Sequence, residues 1–454
     1  MMKHLVTYIF ISALAAVLAA CGDRVAETSP SAPHIFPDYA GVTVPVNIAP
    51  LNFRLDGFDG RARARLEAGA EHITVSTRDG AFRLPQRGWR RLCSAAVAAG
   101  GDISVTVEAR DGDGVWRRYA PFVIRVSEDE IDPYMVYRLI EPGYETWGEM
   151  GIYQRCLETF REEPVIETSS AGYGCVNCHT FRSQDPDMML FHMRQTHAGT
   201  MLLREGRIER LNTATDSTIS STVYPSWHPS GRYIAFSVNA TKLITLPDES
   251  NRVEVFDSAS DVVVYDTERH ELYSVPELMR GDRFETFPSF SPAGDKLYFC
   301  TADSVEMPAR YKEARYSLCS IGFDAASGRL GRDVDTLCNA RTTGRSVSFP
   351  RVSPDGAFML YALSDYGTFS IWHRDADLRM IDLRSGREVE TSAVNSPEAE
   401  SYHSWSSNSR WILFNSRRVD GLYTHVYMAH VSDDGTLSNP FLLPQRDPDS
   451  VSYT

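Results

Sequence analysis

The sequence of 454 residues predicts an all-β protein: an N-terminal β-sandwich followed by a β-propeller of five or six four-stranded blades. Three observations predict it. Apolar and polar residues alternate at period two between about residues 38 and 130, as in half-buried strands. Further on, one twelve-residue motif recurs without gaps as Pro225–Phe236, Pro288–Phe299, Pro350–Tyr361 and His403–Phe414. Its glycines Gly231, Gly294 and Gly356 are spaced 63 and 62 residues apart, the signature of a repeat architecture. Each copy holds a turn like Ser353-Pro354-Asp355-Gly356 followed by an apolar strand, and a second hairpin lies downstream. Two hairpins make the four strands of one blade.

Residues 1–20 read as a signal peptide. Lys3 precedes an apolar run from Leu5 to Ala20, and Leu18-Ala19-Ala20-Cys21 resembles the lipobox of bacterial lipoproteins. The expectation is cleavage before Cys21, lipidation of its thiol, and attachment to the periplasmic side of a bacterial membrane, the outer one by preference. An uncleaved transmembrane anchor is the alternative. Residues 21–37, polar and rich in Ser, Ala and Pro, read as a tether. No later apolar run is long enough to span a bilayer. The formal net charge of −14 argues against nucleic acid as a partner and offers no basic face to a membrane.

The sandwich is read over residues 38–130, from strand patterns such as Val42–Val46, His72–Thr77, Ile103–Glu108 and Phe122–Val126. Arg78-Asp79-Gly80 and Asp111–Gly114 supply turns between them. Residues 131–180 read as a connector, weakly helical and rich in aromatics, that ends in a chemically distinctive segment. The propeller is assigned to 181–454, with a degraded fifth copy of the repeat from Thr180 to Phe191.

That distinctive segment is Cys175-Val176-Asn177-Cys178-His179, the Cys-x-x-Cys-His pattern of covalent haem attachment. Two thiols at this spacing can form thioethers to the two vinyl groups of one porphyrin, and the adjoining His179 becomes the proximal iron ligand. Gly172 and Gly174 would let backbone lie close to the ring. A thioredoxin-like Cys-x-x-Cys leaves His179 unexplained. A zinc knuckle needs a second ligand pair that the chain does not supply nearby. Haem c is therefore the expected cofactor.

His192, thirteen residues after His179, is the candidate distal ligand. Met188, Met193, His197 and His228 are the alternatives, together with an open site. Arg194 is a candidate partner for a haem propionate. His228 stands where other copies carry Ser291, Ser353 and Ser406, so it is either functional or a turn hydrogen bond. With Cys21, Cys175 and Cys178 assigned, Cys93, Cys156, Cys300, Cys319 and Cys338 remain. Cys300 and Cys319 fall on neighbouring predicted strands, as a disulfide or as buried thiols.

The repeats resemble the WD40-like units of TolB-type propellers. The combination of lipobox, β-domain, Cys175-x-x-Cys178-His179 and repeats resembles TolB-like cytochrome c family lipoproteins of Bacteroidetes-type bacteria. Pro37–Phe53, Arg138–Glu145 and Asn395–Ser406 add to the likeness. The resemblance implies haem binding and export, and little about a reaction. Three functions follow as expectations: electron transfer with the propeller docking a redox partner; an interaction scaffold whose haem is structural or a sensor; or an enzyme. No triad, carboxylate pair or distal acid–base set supports the enzyme.

Overall fold

The computed structural model describes residues 25–110, 112, 114–140, 150–246 and 251–450. The lipobox and Cys21 lie outside the described residues. Among the described residues, no helix is long and apolar enough to cross a membrane. The chain forms two compact units, one of residues up to 128 with 444–450, the other of residues 129–443.

The first unit is built on Asp102–Arg110, which pairs antiparallel with Ala62–Ala68, itself paired with Glu71–Thr77. Trp116–Arg118 and Phe122–Ser127 lie along the other edge of Asp102–Arg110. A small second sheet joins Ile35–Phe36, Phe53–Leu55 and Ala81–Phe82. Phe53 of the small sheet meets Phe122 of the large one edge-on, with ring centroids 6.2 Å apart. Alternate residues of Ala62–Ala68 are buried, as the period-two pattern demands.

The expected all-β reading missed one helix here, Gln86–Ala98. It buries Trp89, Leu92, Cys93 and Ala96, the i, i+3, i+4, i+7 stripe of an amphipathic helix. Residues 444–450, expected to end the propeller, belong instead to this unit. The Asn52 amide donates to the carbonyls of Gln445 and Arg446 at 3.0 and 2.9 Å, and Arg54 pairs with Asp449 at 2.7 Å.

Among the described residues the second unit is a propeller of six consecutive sheets, five of four strands and one of three. The first blade is Tyr134–Leu139, Gly151–Cys156 and Glu162–Glu167. It lies where a weakly helical connector was expected: β-branched and aromatic residues in alternation outweigh its few helix formers. The second blade begins with Val176–Arg182 and continues through Asp185–Met193, Gly199–Arg204 and Arg207–Leu211. The innermost strands of the next four blades are Thr222–Trp227, Arg283–Phe290, Ser346–Val352 and Glu400–Trp405. Successive innermost strands are neighbours around the axis. Residues 129–132 bond to the sixth blade, where Asp129 pairs with His430 at 2.6 Å and the Ser407 amide donates to Asp132 at 2.7 Å. The chain thus reaches the first blade over the last, which brings the ends of the ring together.

The turn glycines behave as read. Gly231, Gly294 and Gly356 take φ of 76°, 74° and 74°. Cys300 and Cys319, by contrast, do not pair. Cys300 sits opposite Leu318 and Cys319 opposite Phe299, so their side chains enter separate cores on the two faces of one blade. Both are free, buried thiols.

Candidate functional site

Every four-stranded blade carries a bulge in its innermost strand, just before the register resumes at Thr180, Ser226, Ser289, Arg351 and Ser404. Within each bulge one residue has positive φ: Cys178, Tyr224, Phe287, Phe349 and Tyr402, between 48° and 53°. In four blades this residue is aromatic, and the rings stack toward the axis. Tyr224 and Phe287 are 4.6 Å apart, Phe287 and Phe349 4.2 Å, and Phe349 and Tyr402 4.8 Å. In the second blade the place is taken by Cys178. The haem pattern is therefore itself a copy of the propeller repeat, with Cys178-His179-Thr180-Phe181 standing where Tyr402-His403-Ser404-Trp405 stands.

The equivalence extends to the histidines. His403 Nε2 donates to the Leu360 carbonyl on the second strand of the preceding blade, at 3.0 Å. His179 Nε2 donates to the Val136 carbonyl, at 3.2 Å. Burial lowers both imidazoles, His179 to about 4 and His403 to about 3, so both are neutral at physiological pH.

Val136 therefore marks Tyr134–Leu139 as the second strand of its blade, the counterpart of Phe358–Ser364. Among the described residues, no strand fills the innermost place of the first blade. The surroundings record this. Tyr402, next to that place, is 39% exposed, whereas its equivalents Phe287 and Phe349, away from it, are 2% and 5%. His179 and Cys178 keep accessible surface, whereas His403 is buried.

Cys175 is buried in the core between the first and second blades, with Val176, Met189, Phe191 and Met193. The Cys175 carbonyl accepts from the Arg194 amide at 3.0 Å. Cys175 and His179 thus lie on the side of the second blade that faces the first, whereas the Cys178 thiol, in the bulge at the blade's inner edge, reaches the Tyr224 backbone of the third blade. Burial raises the Cys178 thiol, against a hydrogen bond with the Tyr224 backbone and, after it, the nearby guanidinium groups of Arg194 and Arg138.

The structure separates His192 from this group. Leu190 and Met188 share its face of the strand and pack against Phe236 and Trp227 of the third blade. The His192 ring lies 6.0 Å from Phe236, and its Nδ1 bonds the Thr200 hydroxyl at 2.8 Å. Its buried Nε2 has no partner, and burial drives it down to about 3. The sheet of the second blade lies between His192 and the face that carries His179, so the expected distal ligand His192 faces away from His179. Met188 shares that averted face, and Met193 lies on the His179 side. His197 is in an exposed helical turn, Gln195–His197. His228 makes the turn bonds expected of it, to Ser230 at 2.7 Å and to the Gly294 carbonyl at 3.0 Å. Gly174 serves the protein rather than a ring: a Cβ there would meet the Arg194 carbonyl at 2.4 Å.

The residues present fit a covalently attached porphyrin. One thiol and a neutral imidazole share one side of a blade, and the second thiol lies at its inner edge. They adjoin the one innermost position that no described strand fills. Binding iron through Nε2 would exchange the Val136 bond for a metal bond. Sequence reasoning found the three residues but not the incomplete blade beside them. The clue was the period-two pattern Tyr134–Leu139 with no repeat motif ahead of it.

No family model matches the chain, and no curated protein matches it. Solved structures resemble it at 12% identity. A puromycin-hydrolysing peptidase of Mycobacterium tuberculosis covers 77% of this chain and 52% of its own, with a TM-score of 0.37. The β-propeller domain of the Trilobed protease from Pyrococcus furiosus covers 76% and 94%, with a TM-score of 0.36. Dipeptidyl peptidase 4 of Porphyromonas gingivalis covers 74% and 57%, with a TM-score of 0.31. The chain spans about half the length of the first of these. The fold assignment itself rests on the six sheets.

Proposed function

We propose that this chain is an exported, lipid-anchored c-type monohaem protein that transfers single electrons, with its propeller docking a redox partner. One observation carries the reading: Cys178 and His179 adjoin the innermost place of the first blade, which no described strand fills. The TolB-like cytochrome resemblance and the lipobox at Cys21 support it. In this reading Cys175 and Cys178 hold the cofactor through thioethers, and His179 Nε2 is the proximal ligand. When bound, the haem supplies a one-electron ferric–ferrous couple. The neighbouring apolar side chains of Val176, Met189 and Phe191 would exclude water from it. Their low dielectric favours the state with less net charge. Arg138 and Arg194 lie close enough to act on Cys178 and are suited to carboxylates of the cofactor. Lipid on Cys21 would keep the electron exchange at a membrane surface.

The test is expression with a c-type maturation system, denaturation, and a haem stain. The wild-type band should stain, and Cys175→Ala with Cys178→Ala should not. Intact wild-type protein without stain would overturn the reading.

A second reading has its own observation. His403 makes the same inter-blade bond as His179 with no cysteines beside it, so His179 also serves as a structural strut. The propeller is then an interaction scaffold for a protein or glycan, and its function is independent of haem.

A further inference from the structure

We infer that the outer face of the large sheet in the first unit docks on anionic phospholipid headgroups; this rests on the reading of Cys21 as a lipid anchor. The first observation is charge. Alternate residues of Ala62–Ala68 are buried, so Arg63, Arg65 and Glu67 stand on the outer face. The Arg110 amide donates to the Arg61 carbonyl at 2.9 Å, which carries the pairing one residue further and sets Arg61 opposite Arg110. Arg63 lies opposite Glu108, and Glu108 opposite Arg118, so one carboxylate accepts from two guanidinium groups. Arg65 pairs with Glu67 at 2.9 Å, and Arg125 with Asp102 at 3.2 Å. These six arginines thus share the face with three carboxylates, and among the described residues Arg61 and Arg110 have no carboxylate partner. Like charges directly opposite each other destabilise a sheet, and a layer of anions over the face offsets that cost. The net charge of −14 for the whole chain conceals this face.

The second observation is position. The row Arg61, Arg110, Trp116 and Val25 crosses the sheet to the edge strand Val25–Thr28. The Arg63 guanidinium lies 4.8 Å over the Trp116 ring, which holds its charge beside that row. Cys21 precedes Val25 by four residues, so in any conformation its acyl chains start within about 14 Å of this edge. A chain anchored there holds the cationic face close enough to the headgroups for attraction that salt does not fully screen.

The test is cosedimentation of the mature chain with vesicles. Cys21→Ser, which has no lipid, isolates the face from the anchor. It should bind vesicles of equal parts phosphatidylcholine and phosphatidylglycerol, bind those of phosphatidylcholine alone far less, and be released as salt is added. In that background Arg61→Gln and Arg65→Gln, both at exposed positions, should each weaken binding about fivefold. Their urea midpoints should be no lower than that of the parent. Arg310→Gln with Arg332→Gln removes the same charge from exposed positions of the propeller and should leave binding unchanged. Equal binding to both vesicles, binding to neither, or an equal loss in the two sets of variants overturns the inference. Acyl mass on wild-type Cys21 is read separately by mass spectrometry. Its absence overturns the anchor reading whatever the vesicles show, which separates the two failures.

Discussion

His403→Leu isolates what the shared histidine strut contributes. Removing the imidazole takes one donor from the Leu360 carbonyl in a buried inter-blade seam, where the bond is 3.0 Å long. A lost buried hydrogen bond with an unsatisfied partner costs about 1–3 kcal/mol. The same imidazole is a liability in acid. Burial first, and the Arg351 charge next, lower it from 6.5 to about 3. Between those values the unfolded chain binds a proton that the folded chain refuses, so the folded state loses stability as pH falls through 6.5. Each pH unit of that window is worth about 1.4 kcal/mol. By pH 5 wild type has therefore lost roughly 2 kcal/mol that the leucine variant keeps. Urea unfolding of both proteins at pH 7.5 and pH 5 measures the gap. Wild type should be the more stable at pH 7.5, and the two should be nearly equal at pH 5. A gap that stays constant across this range would refute the reasoning, because it would mean that His403 is either solvated or charged in the fold.

Two further outcomes follow from the geometry. Gln184 is an exposed turn residue with φ of 60°; Gln184→Gly should raise stability by about 1 kcal/mol, read as a higher urea midpoint. Truncation after Leu443 removes the acceptors for Asn52 and the Asp449 carboxylate that pairs with Arg54; hydrogen exchange in full-length and truncated protein should speed up in residues 25–128 and stay unchanged in the propeller.

The parts of the fold that could be read in advance are those in which one residue type has one physical use. Glycine at Gly231, Gly294 and Gly356 is needed for positive φ, and the apolar strands after it must be buried, so the later blades were legible from their turns. The first blade has no such turn ahead of it, and no described strand fills its innermost place, so Tyr134–Leu139 resembles a connector. The helix Gln86–Ala98 was obscured by its own content. Its buried stripe is only Trp89, Leu92, Cys93 and Ala96, and Gly88 and Pro85 at its start suggest a loop. The return of residues 444–450 to the first unit depends on the side chains of Asn52 and Arg54, which are remote in sequence and carry no periodic signal.

At the site, a single strand meets two demands. A repeat copy must place a residue at positive φ on the axis and a donor toward the preceding blade; Tyr402 and His403 meet both as Cys178 and His179 do. Read as attachment chemistry, Cys178 and His179 predict a cofactor. Read as repeat positions, they predict a strut. The two readings diverge at Cys178, because a thiol cannot join the stack of aromatic rings that its equivalents make. Substitution of Cys178 by an aromatic residue would restore the repeat while abolishing one thioether. If the site exists only for packing, Cys178→Phe should leave stability unchanged or improve it and leave every other property intact. If it exists for haem, the variant should fold and yet lose the cofactor's second covalent link, visible as haem bound through Cys175 alone, with the ferrous absorption bands shifted to the red by the vinyl group left free.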